Sequence, residues 1–345
     1  MLTSHLPSVM AAVLLAAPPL PAHTAGRTEP GPGVVRFSWP GVYFEGRFRG
    51  TSIGIVLNDA SADYDVQIDG AVVATLVTPG STTYRIRDLA PGNHEVRLVK
   101  RSESPWAISE FGGFRGDLLP APAPRHRQIE FIGDSYTAGY GDLSPTRDCT
   151  SDEVNRTTDA DVSFGALTAR RFGADYQINA FSGRGMVRNY NGGEPGTDYR
   201  TYYDRALLSV DGDVWHDPSW RPQVVVVGLG INDFSTPLNP GEKWTTSAEL
   251  EADYVAAYNG FLDRLRARYG PHTEIVVSAT YVYNSTQLTD LTRAIVASRT
   301  DRVHWWYYDS EGLDYAGCHW HPSAHDHELI ADRLTAYLTD LHPSW

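Results

Sequence analysis

Four residues in the second half of the chain could carry acyl-transfer chemistry together: Ser135, Gly183, Asn232 and His321. Ser135 closes Gly133-Asp134-Ser135, directly after the short apolar run 129–132. In an open α/β sheet, ligands bind beyond the carboxyl ends of the strands. A serine there, after a glycine that permits a tight turn, stands where a nucleophile should. Its hydroxyl needs a base to take its proton. His321-Pro322, in a loop before the last helix, could face it. Gly183 lies in Phe181-Ser182-Gly183-Arg184-Gly185, after the strand-like run 176–180. Glycines there let a backbone N–H approach a substrate oxygen closely. Asn232 lies in Gly230-Ile231-Asn232-Asp233, after the run 224–229. Its side-chain N–H can meet a developing oxyanion, an interaction worth roughly 3–4 kcal/mol in the transition state. A Gly-Asp-Ser tripeptide alone is a weak signal; the weight comes from four pieces in order, each at a strand end.

The elements that must position these residues are alternating strands and helices. Residues 224–229 form a continuous apolar run, the mark of a strand buried on both faces. Residues 274–279 read the same way, and 303–307 as the last strand. Residues 164–172 and 248–269 have helical texture, the second with Tyr254, Tyr258, Phe261, Leu262 and Leu265 on one face. Residues 323–341 close the chain as a helix with Ser323 as N-cap. This alternation predicts a parallel sheet flanked by helices over 128–345.

The first third is different. Residues 33–119 break into short strand-like runs at 34–39, 42–48, 51–57, 64–68, 71–77, 83–86 and 94–100. Turn signals separate most of them, among them Pro40-Gly41, Asp69-Gly70 and Pro91-Gly92-Asn93. The pattern predicts an all-β sandwich of jelly-roll type. The stretch Pro120-Ala121-Pro122-Ala123-Pro124 then marks a stiff linker over 120–127.

With 345 residues, two domains are the default. The 42 acidic residues outnumber 29 basic ones, so the net charge of −13 disfavours nucleic acid and anionic membrane surfaces as partners. A neutral polysaccharide suits such a surface. The run 9–17 is too short to span a bilayer and is followed by small and Pro residues, so 1–25 reads as an export signal cleaved between Ala17 and Gly26. The mature protein is expected to be secreted, extracellular or periplasmic, without an obligate protein partner. Cys149 and Cys318 are the only cysteines. They could be two unrelated buried thiols, but export favours a disulfide between them, which would pin the His321 loop against the loop after Ser135.

The ordered blocks at Ser135, Gly183, Asn232 and His321 resemble those of the SGNH (GDSL-type) hydrolases. The runs Phe131-Ile132-Gly133-Asp134-Ser135-Tyr136-Thr137-Ala138-Gly139-Tyr140-Gly141 and Ser182-Gly183-Arg184-Gly185-Met186-Val187-Arg188-Asn189-Tyr190 are similar to those of carbohydrate esterase family 2. So are Phe37-Ser38-Trp39-Pro40-Gly41 and Arg47-Phe48-Arg49-Gly50-Thr51 in the β-domain. The resemblance spans nearly the whole mature chain. It implies a jelly roll followed by a flavodoxin-like SGNH domain. It also implies removal of O-acetyl groups from xylan, glucomannan or their oligosaccharides, with no metal or organic cofactor.

One departure stands at the histidine loop. The superfamily usually places an Asp three residues before its His, and family 2 often two before; here those positions are Cys318 and His319. Three readings remain. A backbone carbonyl near 318–319 orients the imidazole as a Ser–His dyad, Asp314 reaches in as third member, or activity is low. The dyad is preferred and Asp314 is second. His319, His321, His325 and His327 also invite a metal reading, but zinc needs three or four converging ligands, and His325 and His327 at a helix start are expected to be solvated. No metal site is therefore assigned. Trp320 stacks on a sugar ring or packs its own loop. Asp134 and Asp233 are expected to hold loops by hydrogen bonds. Two rival functions stay open: a carbohydrate-binding protein with weak chemistry, and an SGNH esterase for lipid or aryl esters.

Overall fold

Alternation of buried and exposed side chains builds the first domain, and uninterrupted burial builds the second. In the computed structural model, residues 22–282 and 285–345 are described. The export signal read at 1–25 lies outside them up to residue 21.

The N-terminal domain consists of antiparallel strands β1 (His23–Ala25), β2 (Glu29–Gly31), β3 (Val34–Phe37), β4 (Tyr43–Asp59), β5 (Tyr64–Ile68), β6 (Ala71–Leu76), β7 (Gly80–Ile86), β8 (Gly92–Lys100) and β9 (Ser109–Leu119). Hydrogen bonds run in the order β2-β3-β9-β4-β8-β5-β6, with β1 and β7 also on β4. Three features differ from the sequence reading. The strands begin at His23, ahead of residue 33, with residues 23–25 paired to β4. The runs 42–48 and 51–57 form one strand, β4. Its first half pairs with β8 and its second with β7, and its register against β9 shifts between Arg49 and Gly54. Only Arg49-Gly50 lies between those two runs, and Gly50, at φ of +127°, lets the chain bend there while staying one strand. Finally, β9 carries three glycines, which dilute the alternation by which a strand is read.

The C-terminal domain has a parallel sheet of β10 (Gln128–Gly133), β11 (Asp175–Ala180), β12 (Val224–Gly228), β13 (Glu274–Ala279) and β14 (Val303–Tyr307), in the order β11-β10-β12-β13-β14. Every pairing is parallel. Val224 and Val226 face one apolar core, and Val225 and Val227 the other. That two-sided burial explains the unbroken valine run. Helices Phe164–Arg171 and Ala324–Leu341 pack together, as do Ser247–Tyr269 and Gln287–Ala297. Ser323 caps the last helix by accepting from the Asp326 N–H. Strand order reverses direction at β10, the switch point where such sheets place their ligands.

The two domains share a polar seam. Arg27, ahead of β2, pairs with Glu130 on β10 at 2.9 Å, both side chains fully buried. Tyr43 Oη donates to Asp175 Oδ1 at 2.6 Å, and His23 Nε2 lies 2.9 Å from the same oxygen. Arg97 grips Asp161 with two bonds of 2.9 Å.

Candidate active site

The nucleophile position follows from β10. A Cβ on Gly133 would collide with Thr137 Oγ1, so only glycine lets the strand turn straight into helix Ser135–Ala138. Asp134 caps that helix by accepting from the Tyr136 N–H at 3.1 Å. Ser135 is thereby held just beyond the carboxyl end of β10, 7% exposed.

His321 comes from the loop ahead of the last helix. Its Nε2 lies 2.8 Å from Ser135 Oγ, and its Nδ1 lies 2.9 Å from the Cys318 carbonyl oxygen. A carbonyl can only accept, so Nδ1 carries the hydrogen and Nε2 is left as acceptor for the serine proton. Burial pushes the imidazole pKa down to about 4, against hydrogen bonding to backbone acceptors at Cys318 and His319 that favours its charged form. The ring is therefore neutral near pH 7. Tyr140 packs on it at 4.4 Å between ring centres, and Tyr136 at 5.4 Å.

The loop is fixed from several sides. Cys149 and Cys318 are bonded, with Cα atoms 5.6 Å apart. The Cys318 N–H donates to the Gly141 carbonyl at 3.1 Å, and the His319 N–H to the Arg147 carbonyl at 2.7 Å. His319 and Trp320 both adopt left-handed backbone angles, with φ of 53° and 64°. Such angles are uncommon for non-glycine residues. Together they fold Cys318–Trp320 back so that its first carbonyl reaches His321.

Asp314 is placed elsewhere. Its Oδ1 accepts from the Ala316 N–H at 2.8 Å, and its own N–H donates to Asp326 Oδ1 at 2.8 Å. It makes no hydrogen bond to His321 among the described residues.

Gly183 has φ of +78°, open to glycine at no steric cost. Among the described residues no acceptor takes its N–H or that of Ser135. Asn232 is committed differently from expectation. Its Nδ2 donates to the Arg184 carbonyl at 2.9 Å and to Asp134 Oδ2 at 3.2 Å, knitting three loops. Asp233 accepts from the N–H groups of Met186, Val187 and Arg188 at 2.8–2.9 Å and so anchors the segment after Gly183. Burial pushes Asp134 up to about 7 and Asp233 up to about 6.

A cleft of ≈ 830 Å³ opens over Ser135, Gly183, Asn232 and His321, with Tyr190 and Trp320 on its walls. Trp320 is 65% exposed and its ring is covered on one side by the Arg147 guanidinium at 4.2 Å. The other histidines scatter. His325 is exposed, as expected, but His327 is fully buried and accepts from the Phe164 N–H through Nδ1, which corrects the reading that it is solvated. Helical periodicity turns it inward, where helix Ala324–Leu341 packs on Phe164–Arg171. No group of three or more His, Cys, Asp or Glu suited to a metal occurs among the described residues. No helix there is long and apolar enough to cross a membrane. Sequence reasoning missed Glu103, whose carboxylate reaches Ser182 from the other domain.

Residues 24–122 match the model of the carbohydrate esterase 2 N-terminal domain, and 131–345 that of the GDSL-like lipase/acylhydrolase family. The chain is 40% identical over 342 residues to an acetylxylan esterase / glucomannan deacetylase of Cellvibrio japonicus, covering 95% of this chain and 93% of that protein. It is similar to the solved structure of a carbohydrate esterase whose active site displays divergent catalytic and non-catalytic binding functions, at 38% identity and a TM-score of 0.86, over 94% of this chain and 98% of that one. A family two carbohydrate esterase from Clostridium thermocellum, solved in complex with cellohexaose, aligns at 30% identity and a TM-score of 0.79, over 93% and 98% of the two chains. The chain belongs to carbohydrate esterase family 2 and is an esterase.

Proposed function

We propose that the protein is an exported deacetylase of plant cell-wall polysaccharide, acting on acetylated xylan, glucomannan or their oligosaccharides through a Ser135–His321 dyad. The observation that carries the reading is the relay from Ser135 Oγ through the His321 ring to the Cys318 carbonyl, with bonds of 2.8 and 2.9 Å.

His321 Nε2 takes the serine proton as Oγ attacks the acetyl carbonyl carbon. The carbonyl π electrons move onto oxygen. The Ser135 and Gly183 N–H groups, both free of acceptors in the described residues, hold that oxyanion. The Asn232 amide joins them by releasing its longer bond, to Asp134, for the stronger anionic acceptor. The C–O bond to the sugar then breaks, and the imidazolium gives its proton to the departing sugar oxygen. Water, activated by the same ring, attacks the acetyl-serine and releases acetate.

The Cellvibrio relative supports acetylated xylan and glucomannan as substrates, and the cleft walls Tyr190 and Trp320 suit a sugar chain. The cellohexaose complex of the Clostridium relative supports a cleft that also holds unacetylated β-glucan. The intact Ser–His pair favours turnover over binding alone. Export is supported by the leader-like 1–25, with its apolar run 9–17 and cleavage read between Ala17 and Gly26, and the burial of His23 on Asp175 favours a bond ahead of it. N-terminal sequencing of the secreted protein tests that bond.

The decisive experiment is acetate release from acetylated xylan and glucomannan by the wild type and by Ser135→Ala. Ser135→Ala should lose turnover while keeping its circular dichroism spectrum. Retained turnover would remove Ser135 from the mechanism, and hydrolysis confined to lipid or aryl esters would remove the polysaccharide.

A further inference from the structure

The β-domain reaches toward the esterase site through the loop 101–108 between β8 and β9. Glu103 Oε1 accepts from the Ser182 N–H at 2.9 Å, and Oε2 accepts from the Ser182 hydroxyl. Ser182 immediately precedes Gly183, so the carboxylate fixes the Phe181–Ser182 peptide and the Ser182 side chain, from which the next peptide, carrying the Gly183 N–H, extends. Three residues on, Trp106 packs edge-on against Phe181 at 5.7 Å, on the other side of Ser182. The loop that delivers Glu103 is itself braced. Lys100 Nζ donates to Ser104 Oγ at 2.7 Å and to the Ser38 carbonyl, while Ser102 Oγ accepts from the Asp63 N–H at 2.9 Å.

We infer that Glu103 of the β-domain is a positioning residue for the reaction: its two bonds to Ser182 aim the Gly183 N–H at the oxyanion. This rests on the Ser135–His321 reading above. A bidentate carboxylate takes both donors of Ser182, leaving the next N–H along the chain as the one that faces the cleft. The bond is made across 79 residues of sequence and across the domain boundary. The β-domain thereby acts on the chemical step and not solely on polysaccharide binding.

The test compares Glu103→Ala and Glu103→Gln with the wild type. Displacing a transition-state donor by about an ångström can cost on the order of 100-fold. Glu103→Ala should lower kcat about 10- to 100-fold with KM changed less than about twofold, because the oxyanion forms only in the transition state. Glu103→Gln keeps a carbonyl to accept the Ser182 N–H and should lose about 3- to 10-fold. Inactivation by a p-nitrophenyl alkylphosphonate, whose oxygen occupies the oxyanion site, should slow by the same factors. A folded Glu103→Ala with wild-type kcat and phosphonate rate would overturn the inference. So would a loss borne by KM alone. If Glu103→Ala does not fold, wild-type values for Glu103→Gln would overturn it equally. Ser135→Ala is measured alongside: turnover surviving there sinks the dyad and the inference together, whereas turnover lost there but kept in both Glu103 variants sinks the inference alone.

Discussion

His321 is oriented by the backbone of Cys318, three residues earlier in its own loop, with Nδ1 2.9 Å from the carbonyl oxygen. A neutral carbonyl fixes the tautomer as a carboxylate would, but it gives less stabilisation to the imidazolium formed in the transition state. Asp314, the carboxylate weighed from the sequence as a third member, serves the turn at Ala316 instead.

Asp314→Asn should therefore be mild. The amide keeps an oxygen for the Ala316 N–H, so kcat on an acetyl ester should fall by no more than about tenfold. Losing a true triad acid costs around 10⁴. A collapse of that size in a folded variant would mean that Asp314 reaches His321 during turnover.

The disulfide should matter to both stability and rate, because Cys318 supplies the sulfur and the orienting carbonyl. The bridge closes 169 residues, for which chain entropy gives about 5 kcal/mol as an upper figure. Cys149→Ser should lower Tm and also lower kcat at temperatures where the protein remains folded. Unchanged kcat below the new Tm would show that the remaining loop bonds, such as His319 N–H to the Arg147 carbonyl at 2.7 Å, hold the imidazole alone.

Acid tolerance follows from the buried imidazole. A free histidine titrates near 6.5, whereas His321 is pushed down to about 4. The base must be neutral, so kcat/KM should hold as pH falls through 6.5 and decline only as it passes about 4. Acetate release measured across that range tests the sign. An acid limb near 6.5 that belongs to the His321 ring by NMR titration would show that the folded site does not depress it.

Trp320 separates binding from chemistry. Its exposed ring, backed by Arg147, makes no bond to Ser135 or His321. An aromatic stacking contact contributes about 0.5–1.5 kcal/mol beyond area burial. Trp320→Ala should raise KM on acetylated polysaccharide by about 2- to 12-fold while leaving kcat/KM on p-nitrophenyl acetate nearly unchanged. Equal losses on both substrates would assign the ring to loop packing.

The domain seam should be costly to break. Arg27 and Glu130 are both fully buried, and the guanidinium lies 4.5 Å above the Tyr203 ring. Arg27→Met leaves Glu130 buried without its partner and should cost about 3–5 kcal/mol in denaturant unfolding. A cost under about 1 kcal/mol would mean that Glu130 finds its compensation from Asn179 Nδ2.

The sequence by itself determined the two-domain order, the parallel sheet and the pieces of the site. Apolar runs such as 224–229 report burial, glycines such as Gly133 report tight turns, and both are local properties. Ser135 and His321, 186 residues apart, could be paired because each stands at the end of an element whose type the pattern reveals. What the tertiary structure decided was the partner of each polar atom. The sequence left a carbonyl, Asp314 or low activity open behind His321, since that choice turns on the left-handed angles of His319 and Trp320. Asn232 spends its amide on Asp134 and Arg184, a commitment that no spacing encodes. His327 is buried because of which helix face meets Phe164, and β1 is a strand because β4 accepts it. Glu103 lay outside any motif, because a carboxylate in a loop of one domain gains its meaning only when the other domain brings Ser182 to it.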